Sequence, residues 1–175
     1  MIRIALTGPE STGKSSMVEQ LAKRYGGSIL PEFAREYLTN LNRSYTADDV
    51  EIIARKQIEQ EEAFSENSNI IFCDTDLLVC RIWMEVVFGA CPDWLIVESR
   101  KQRYSHTLLM NIDLPWEPDP LREHPHLREE LFNRYRTALI EDQRTFTIIS
   151  GMNEARFENA KSAINHLYKN KLNGH

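Results

Sequence analysis

Residues 8–15 carry the clearest chemistry in the chain, because they read Gly-Pro-Glu-Ser-Thr-Gly-Lys-Ser, a complete G-x-x-x-x-G-K-[ST] pattern. Loops of this pattern curl so that backbone N–H groups face a phosphate chain, while the lysine reaches the outer phosphates and the final hydroxyl joins a Mg²⁺ shell. We therefore predict binding of ATP with Mg²⁺. The predicted nucleotide contacts in this segment are Gly8, Glu10, Ser11, Thr12, Gly13, Lys14, Ser15 and Ser16.

An acidic residue after a second apolar run completes a predicted metal site. Asp74 directly follows residues 70–73, which read Ile-Ile-Phe-Cys. Phosphate-loop enzymes use a carboxylate at the end of such a strand to hold Mg²⁺. We therefore predict that Ser15 and Asp74 hold the metal, with Asp74 also beside the substrate. The alternative for an acid here is a helix cap, and this is the simpler interpretation of Asp76.

A second carboxylate is placed where an acceptor would lie. Glu32 follows the apolar run at residues 28–31, and Arg35 comes one helical turn later. A carboxylate at this rim can accept a hydroxyl proton and orient the acceptor, and Arg35 can contact substrate or phosphate. The alternative is a surface ion pair between Glu32 and Arg35 at a helix start. Whether Glu32 or Asp74 is the base stays open.

Residues 113–126 contain too many prolines for a helix and follow an apolar run, which predicts a mobile lid. The Trp116 indole could stack on an aromatic or cationic ring, although an ordinary core position is the rival interpretation. Arg122, and with it Arg128, could swing over the transferred phosphate and screen its charge. Lys14, Glu32, Asp74 and Arg122 are thus the predicted catalytic residues.

The segment after the last apolar run is a candidate adenine site. Asn153 and Arg156 follow Gly151 in Gly-Met-Asn-Glu-Ala-Arg, where a base could lie between backbone and side chain. The competing interpretation is a plain strand-to-helix turn, which needs only Gly151 and Asn153.

The elements that must position these residues follow a β-α-β rhythm. Thr46 and Asp49 form a capping box that predicts the start of a long helix. Near-continuous apolar strands joined by helices predict an α/β fold, a three-layer α/β/α P-loop NTPase with a five-stranded parallel sheet and ligands at the strands' carboxyl ends. The predicted strands lie at residues 2–6, 28–31, 70–73, 107–112 and 145–150.

Size and charge narrow the classes of function. The length of 175 residues predicts one domain over residues 1–175. The net charge of −5 gives no global attraction to nucleic acid or acidic lipid. No apolar stretch approaches the roughly 20 residues that cross a bilayer, and the N-terminal run is interpreted as a core strand and not a signal peptide. We therefore expect a cytoplasmic protein. The three cysteines lack metal or disulfide spacing and are interpreted as structural.

The motifs in this order resemble bacterial nicotinamide riboside kinases, the kinase portion of NadR-type NAD-biosynthesis proteins. The resemblance spans nearly the whole chain and rests on residues 8–15, 32–37, 72–76 and 113–122. It implies ATP-dependent phosphorylation of the ribose 5′-hydroxyl of nicotinamide riboside to nicotinamide mononucleotide. Lys14 would then bridge the β- and γ-phosphates and Arg122 would close over the γ-phosphate. Trp116 and Asp119 would recognise the cationic nicotinamide ring.

The chain departs from that family in two respects. Family members are often fused to an N-terminal adenylyltransferase and sometimes to a helix-turn-helix regulator, whereas the kinase begins at Met1 here, so we expect those activities to be missing. Pro120 stands where the family often has glycine, which leaves lid mobility and substrate choice open. The oligomeric state also stays open.

Two other functions remain as alternatives. One is a kinase of the same architecture that acts on another nucleoside or small metabolite. The other is a regulatory nucleotide-binding ATPase without small-molecule transfer. A GTPase is disfavoured because no guanine-reading Asn-Lys-x-Asp stretch occurs in the sequence.

Overall fold

A computed structural model describes residues 1–64, 68–101 and 103–172, with side chains to residue 167. Strands and helices alternate along this part of the chain, as the sequence predicts. The strands are β1 (Ile2–Thr7), β2 (Ser28–Leu30), β3 (Ile70–Asp74), β4 (His106–Met110) and β5 (Phe146–Ile149). The helices are α1 (Lys14–Tyr25), α2 (Phe33–Thr39), α3 (Ala47–Ala63), α4 (Leu77–Val87), α5 (Asp93–Arg100), α6 (Arg128–Glu141) and α7 (Asn153–Leu172).

The five strands form one parallel sheet in the order β2-β3-β1-β4-β5. β1 lies at the centre, with Leu6 opposite Asp74 of β3 and Leu108 of β4. The central strands are apolar along their length because helices cover both of their faces. The predicted fold class is therefore confirmed, and the loops that carry the candidate residues gather at the carboxyl ends of the strands.

The two faces of the sheet pack against different helices. α1 and α7 contribute Leu21 and Ile164 to a cluster with Ile4 of β1. On the other face, α4 and α6 contribute Leu78 and Leu139 to a second cluster. None of the helices in the described ranges is long and apolar enough to cross a membrane.

β4 ends two residues earlier than predicted, because Asn111 redirects the chain. The Asn111 side-chain oxygen accepts the Ile112 N–H at 2.8 Å, and its amide donates to Ser150 Oγ at 2.9 Å. An asparagine that bonds its own backbone in this way competes with the strand ladder. The irregular segment of residues 111–127 therefore begins at the carboxyl end of β4.

The predicted capping box at the start of α3 is confirmed. One Asp49 carboxylate oxygen accepts from the Thr46 N–H at 2.7 Å and from its hydroxyl at 2.9 Å. Arg43 donates to both oxygens of the same carboxylate, and the Tyr37 hydroxyl donates at 2.7 Å. These bonds fix the segment before α3, which includes Tyr45.

Candidate functional site

The phosphate loop is shaped by two glycines with left-handed backbones. Gly8 has φ +129°, and a Cβ there would lie 2.9 Å from the Met110 carbonyl oxygen. Gly13 has φ +75° and immediately precedes α1. Only glycine adopts these conformations without strain. The loop thus packs tightly on β4 and leads into a helix N-terminus, the arrangement that binds phosphate in many proteins.

Lys14 lies inside the loop that it closes. Its ammonium donates to the carbonyl oxygens of Gly8 at 2.9 Å and Pro9 at 2.8 Å. Burial lowers the pKa of Lys14, against the opposing effect of the Glu32 and Asp74 carboxylates. The predicted lysine is therefore at the mouth of the loop, with both predicted acids close enough to influence it.

Glu32 is the N-cap residue of α2 and faces the same cavity as Lys14. Burial raises the pKa of Glu32, and the positive charge of Lys14 partly offsets this effect. A carboxylate with a raised pKa is better matched to accepting a proton near neutral pH. The structure thus brings Glu32 and Lys14 together, as the sequence predicts.

Asp74 ends β3 and is 8% exposed. Its Oδ1 atom is buried and has no hydrogen-bond partner among the described residues. A buried carboxylate oxygen without a partner is costly unless a cation or water reaches it. Together with the exposed Ser15 hydroxyl on α1, it offers the hard oxygen donors that suit Mg²⁺, so these residues fit that ion.

Thr75 is a residue that the sequence analysis passed over. Its φ of +88° is left-handed, which strains a β-branched residue. Its hydroxyl is buried without a hydrogen-bond partner among the described residues, and the residue lines the cavity. Strain of this kind clusters at functional sites, although no sequence pattern marks it.

The lid, residues 113–126, is irregular as predicted and is closed onto the phosphate loop. One Glu10 carboxylate oxygen accepts the N–H groups of Glu123 at 3.1 Å and His124 at 3.3 Å. The Ser11 hydroxyl accepts the Glu117 N–H at 2.8 Å. The side chains of Glu10 and Ser11, predicted to contact nucleotide, therefore bind the lid in this structure.

Two arginines lie directly over the phosphate loop. The Arg122 guanidinium is 3.4 Å from Ser11 Oγ and also donates to the Glu117 carbonyl. Arg128, at the start of α6, donates to the carbonyls of Ser11 at 3.1 Å and Leu114 at 3.0 Å. Both guanidinium groups therefore lie against Ser11 of the phosphate loop, and a role for Arg122 and Arg128 over the transferred phosphate stays a prediction.

Trp116 and Asp119 do not occupy the places predicted for them. Within the described chain, neither is among the residues that line the cavity. The Trp116 ring lies 5.9 Å from the Arg128 guanidinium, and Asp119 accepts from Arg35 at 3.3 Å. Their side chains are engaged by neighbouring cations, so this arrangement does not bring them to a ring in the cavity.

Arg156, predicted to contact adenine, lines the cavity and also makes several bonds within the protein. It is 4% exposed and pairs with Asp113. It also donates to the carbonyls of Thr12 at 2.9 Å and Asn111 at 2.8 Å. Arg156 therefore ties the phosphate loop to the ends of β4 and β5. Asn153 begins α7 with φ +48° and lines the cavity beside it.

One cavity of about 870 Å³ is lined by the phosphate loop together with Glu32, Thr75 and Arg122, whereas Asp74 is not among its lining residues. At one end lie the phosphate loop, Asn153 and Arg156. The same cavity also has a group of apolar lining residues, which we call the ring compartment. It consists of Leu38, Leu41, Tyr45, Val79, Trp83 and Val86. Tyr45 and Trp83 were missed because α4 reads as an ordinary core helix and Tyr45 precedes a capping box.

The loop, parallel sheet and closing lid define a P-loop nucleotide-binding protein. Residues 3–156 match the protein family described as an AAA domain, and the chain belongs to that family. A search of curated proteins finds no significant match.

Solved structures share the fold. A NadR protein in complex with NR has a TM-score of 0.79 at 22% identity, covering 95% of this chain and 51% of that one. NadR with NAD and AMP-PNP gives 0.75 at 22% identity, covering 95% and 49%. A deoxyadenosine kinase from M. mycoides, with products dCMP and dCDP, gives 0.67 at 15% identity, covering 95% and 100%. The resemblance to NadR is thus confirmed for the fold, and the chain spans about half of those NadR chains.

Proposed function

We propose that this chain is an ATP-dependent kinase that phosphorylates the ribose 5′-hydroxyl of nicotinamide riboside. The observation that carries the proposal is the cavity itself. Its lining combines the phosphate loop with the apolar ring compartment, and it includes Glu32, whose charge acts on both Lys14 of the loop and Cys80 of α4. The similarity in fold to NadR in complex with NR supports the choice of riboside.

The side chains divide the work of phosphoryl transfer. The amides of the loop and Lys14 bind the phosphates, and Arg122 screens charge on the transferred group. Glu32 orients the acceptor hydroxyl and accepts its proton as the new P–O bond forms and the bond to ADP breaks. Mg²⁺, held by Ser15 and Asp74, would neutralise charge on the phosphates.

The lid keeps water out of this reaction. Its bonds to Glu10 and Ser11 close the cavity above the loop, and the Arg35–Asp119 pair joins the lid to α2. Exclusion of water favours transfer to the acceptor over hydrolysis of ATP. The proposed kinase therefore needs the bonds from the lid to the phosphate loop and the Arg35–Asp119 pair in its closed state.

A kinase of another nucleoside is the second candidate. The deoxyadenosine kinase matches over its full length, whereas the NadR structures match over about half of theirs. The match over the whole of that kinase favours a nucleoside kinase in which the ring compartment accepts a neutral base.

ADP release with a panel of ribosides separates these candidates. We expect release to depend on nicotinamide riboside and to exceed that with thymidine or adenosine, and Lys14→Ala serves as the inactive control. Activity confined to a neutral nucleoside would remove the nicotinamide assignment. Slow ADP release that no riboside changes would indicate a regulatory ATPase instead.

A further inference from the structure

The ring compartment contains a corner built from two aromatic side chains. The rings of Tyr45 and Trp83 lie 4.9 Å apart between centroids, with 69° between their planes. Edge-to-face pairs of this kind are favourable, and they present a flat apolar face to a neighbour. Both residues line the same cavity as Glu32 and the phosphate loop.

The corner is held rigidly by groups outside it. Tyr45 immediately precedes the Thr46–Asp49 capping box that fixes the start of α3. Its hydroxyl donates to the Glu123 carboxylate of the lid. A binding surface whose side chains are already fixed loses little conformational entropy when a ligand arrives.

The charge around the corner favours a cationic ring. The Glu123 carboxylate lies at the Tyr45 hydroxyl, and aromatic faces attract positive charge. The arginines that line this part of the cavity are engaged elsewhere, since Arg43 pairs with Asp49 and Arg35 with Asp119. The charged group bonded to the corner itself is a carboxylate, which favours a cationic over an anionic ring.

Glu123 connects this corner to the phosphate end of the cavity. Its carboxylate accepts from Tyr45, while its backbone N–H donates to Glu10 of the phosphate loop. One lid residue therefore contacts both halves of the site. Glu123 thus links the binding of a ring in the corner to closure of the lid over the phosphate loop.

We propose that the ring of the acceptor binds in the corner formed by Tyr45 and Trp83, which makes these two residues determinants of substrate specificity. This inference rests on the proposed function in taking the acceptor to be a riboside. The favoured ring is a flat cationic heteroaromatic, such as a pyridinium. Trp116, the alternative residue for ring recognition, does not line the cavity in this structure.

The test replaces single aromatic side chains and measures acceptor and donor separately. Trp83→Leu should raise the acceptor KM about tenfold, the range expected when an aromatic and cation–π contact is lost. Its calorimetric affinity for AMP-PNP should stay within twofold, and Trp83→Phe should restore most of the acceptor affinity. Tyr45→Leu removes the other aromatic side chain of the corner and should raise the acceptor KM in the same way. It therefore tests the proposal even if Trp83→Leu does not fold.

Matched tryptophan variants complete the design. Trp94 lies outside the cavity, where it stacks with Arg55 and donates to Glu51, so Trp94→Leu should leave the acceptor KM unchanged. Trp116→Leu should also leave it within twofold. An unchanged KM in both Trp83→Leu and Tyr45→Leu, or a tenfold rise in Trp116→Leu, overturns the proposal.

The choice of acceptor keeps this proposal distinguishable from the proposed function. All variants are assayed with whichever riboside the wild-type chain phosphorylates best. Wild-type inactivity toward nicotinamide riboside, with another riboside active, contradicts the nicotinamide assignment alone. If a riboside is phosphorylated but its KM is unchanged in Trp83→Leu and Tyr45→Leu, the corner proposal alone is contradicted. If no riboside binds the wild-type chain, the corner proposal and the proposed function are both overturned.

Discussion

The phosphate loop and the lid meet along the mouth of one cavity, but they are held in place by different means. Gly8 packs against the Met110 backbone, and Arg156 fastens the Thr12 carbonyl to the sheet. The lid has no helix or strand, and it contacts the loop through hydrogen bonds that its backbone donates to Glu10 and Ser11 and through the Arg122 guanidinium at Ser11.

This difference indicates how the two regions divide the function. A loop anchored in the sheet keeps its geometry whether or not a ligand is bound, because its supports are buried. A segment held by a few partly exposed hydrogen bonds opens at low cost, since each contributes only about 0.5–1.5 kcal/mol. Substitutions in the loop should therefore affect transfer itself, and substitutions at the contacts should affect closure.

The largest effect is expected at the mouth of the loop. Lys14→Ala removes the cation that faces the outer phosphates, and we expect kcat to fall by about 10³-fold, near the upper range for loss of one electrostatic group. Circular dichroism and Tm should match the wild-type chain. Full retained activity would contradict the phosphate geometry described above.

The hydrogen bonds that anchor the phosphate loop to the sheet can be removed by a substitution at Arg156. Arg156→Leu removes the donor to three carbonyls and the ion pair with Asp113, so we expect a loss of about 3 kcal/mol in unfolding free energy. Urea unfolding measures it. The matched control is Arg134→Leu, which removes an exposed pair with Glu130 and should cost about 0.5 kcal/mol or less. Equal losses in the two variants would contradict an anchoring role.

Glu32 tests the junction between the two regions. Glu32→Gln keeps the size of the side chain but cannot accept the acceptor's proton, so we expect kcat to fall by about 10²-fold. The KM for ATP should change little, because Glu32 faces the acceptor. Steady-state kinetics with both substrates varied measure this, and a changed ATP KM with unchanged kcat would place Glu32 in donor binding instead.

The pH dependence sharpens the same assignment. Burial raises the pKa of Glu32 above its ordinary 4.5, so kcat should fall as pH decreases through this raised value, and Glu32→Gln should lack that acid limb. Stability runs in the opposite direction: the contribution of Glu32 is present below its unfolded pKa and is lost as pH rises through the folded value. Tm measured against pH should therefore decline less in Glu32→Gln. An identical acid limb in both proteins would contradict this role.

The smallest effect is expected at the lid contact. Glu10→Gln weakens the acceptor of the Glu123 and His124 N–H groups, and we expect kcat/KM to fall by about three- to tenfold. Glu19→Gln, on the exposed face of α1, is the matched control and should leave it unchanged. Faster riboside-independent ATP hydrolysis in Glu10→Gln would support a lid that excludes water, and unaltered kinetics would argue against closure through this contact.

The sequence predicts those features that are set by neighbouring residues. The phosphate loop, the five strands and the Thr46 capping box depend on local patterns, and each appears as predicted. The positions of Asp74 and Glu32 at the carboxyl end of the sheet could be predicted because each residue comes directly after an apolar run. The early end of β4 was not foreseen, because it depends on a bond between Asn111 and Ser150 of another strand end.

Features set by packing between distant segments were missed or misplaced. Trp116 was assigned to a ring because of its type, but Arg128 lies over it instead. Tyr45 and Trp83 meet only because α3 and α4 pack side by side, and no spacing along the chain reports that contact. The strained Thr75 backbone likewise becomes visible only in the folded structure.

The central claim is that the phosphate loop presents the terminal phosphate of ATP to a ribose hydroxyl in the adjoining compartment. Incubation with γ-labelled ATP and nicotinamide riboside, followed by separation of products, tests it most directly. The account predicts label in a riboside monophosphate, attached at the 5′ position, and none when Lys14→Ala is used. Label found only in inorganic phosphate, at a rate unaffected by any riboside, would contradict it.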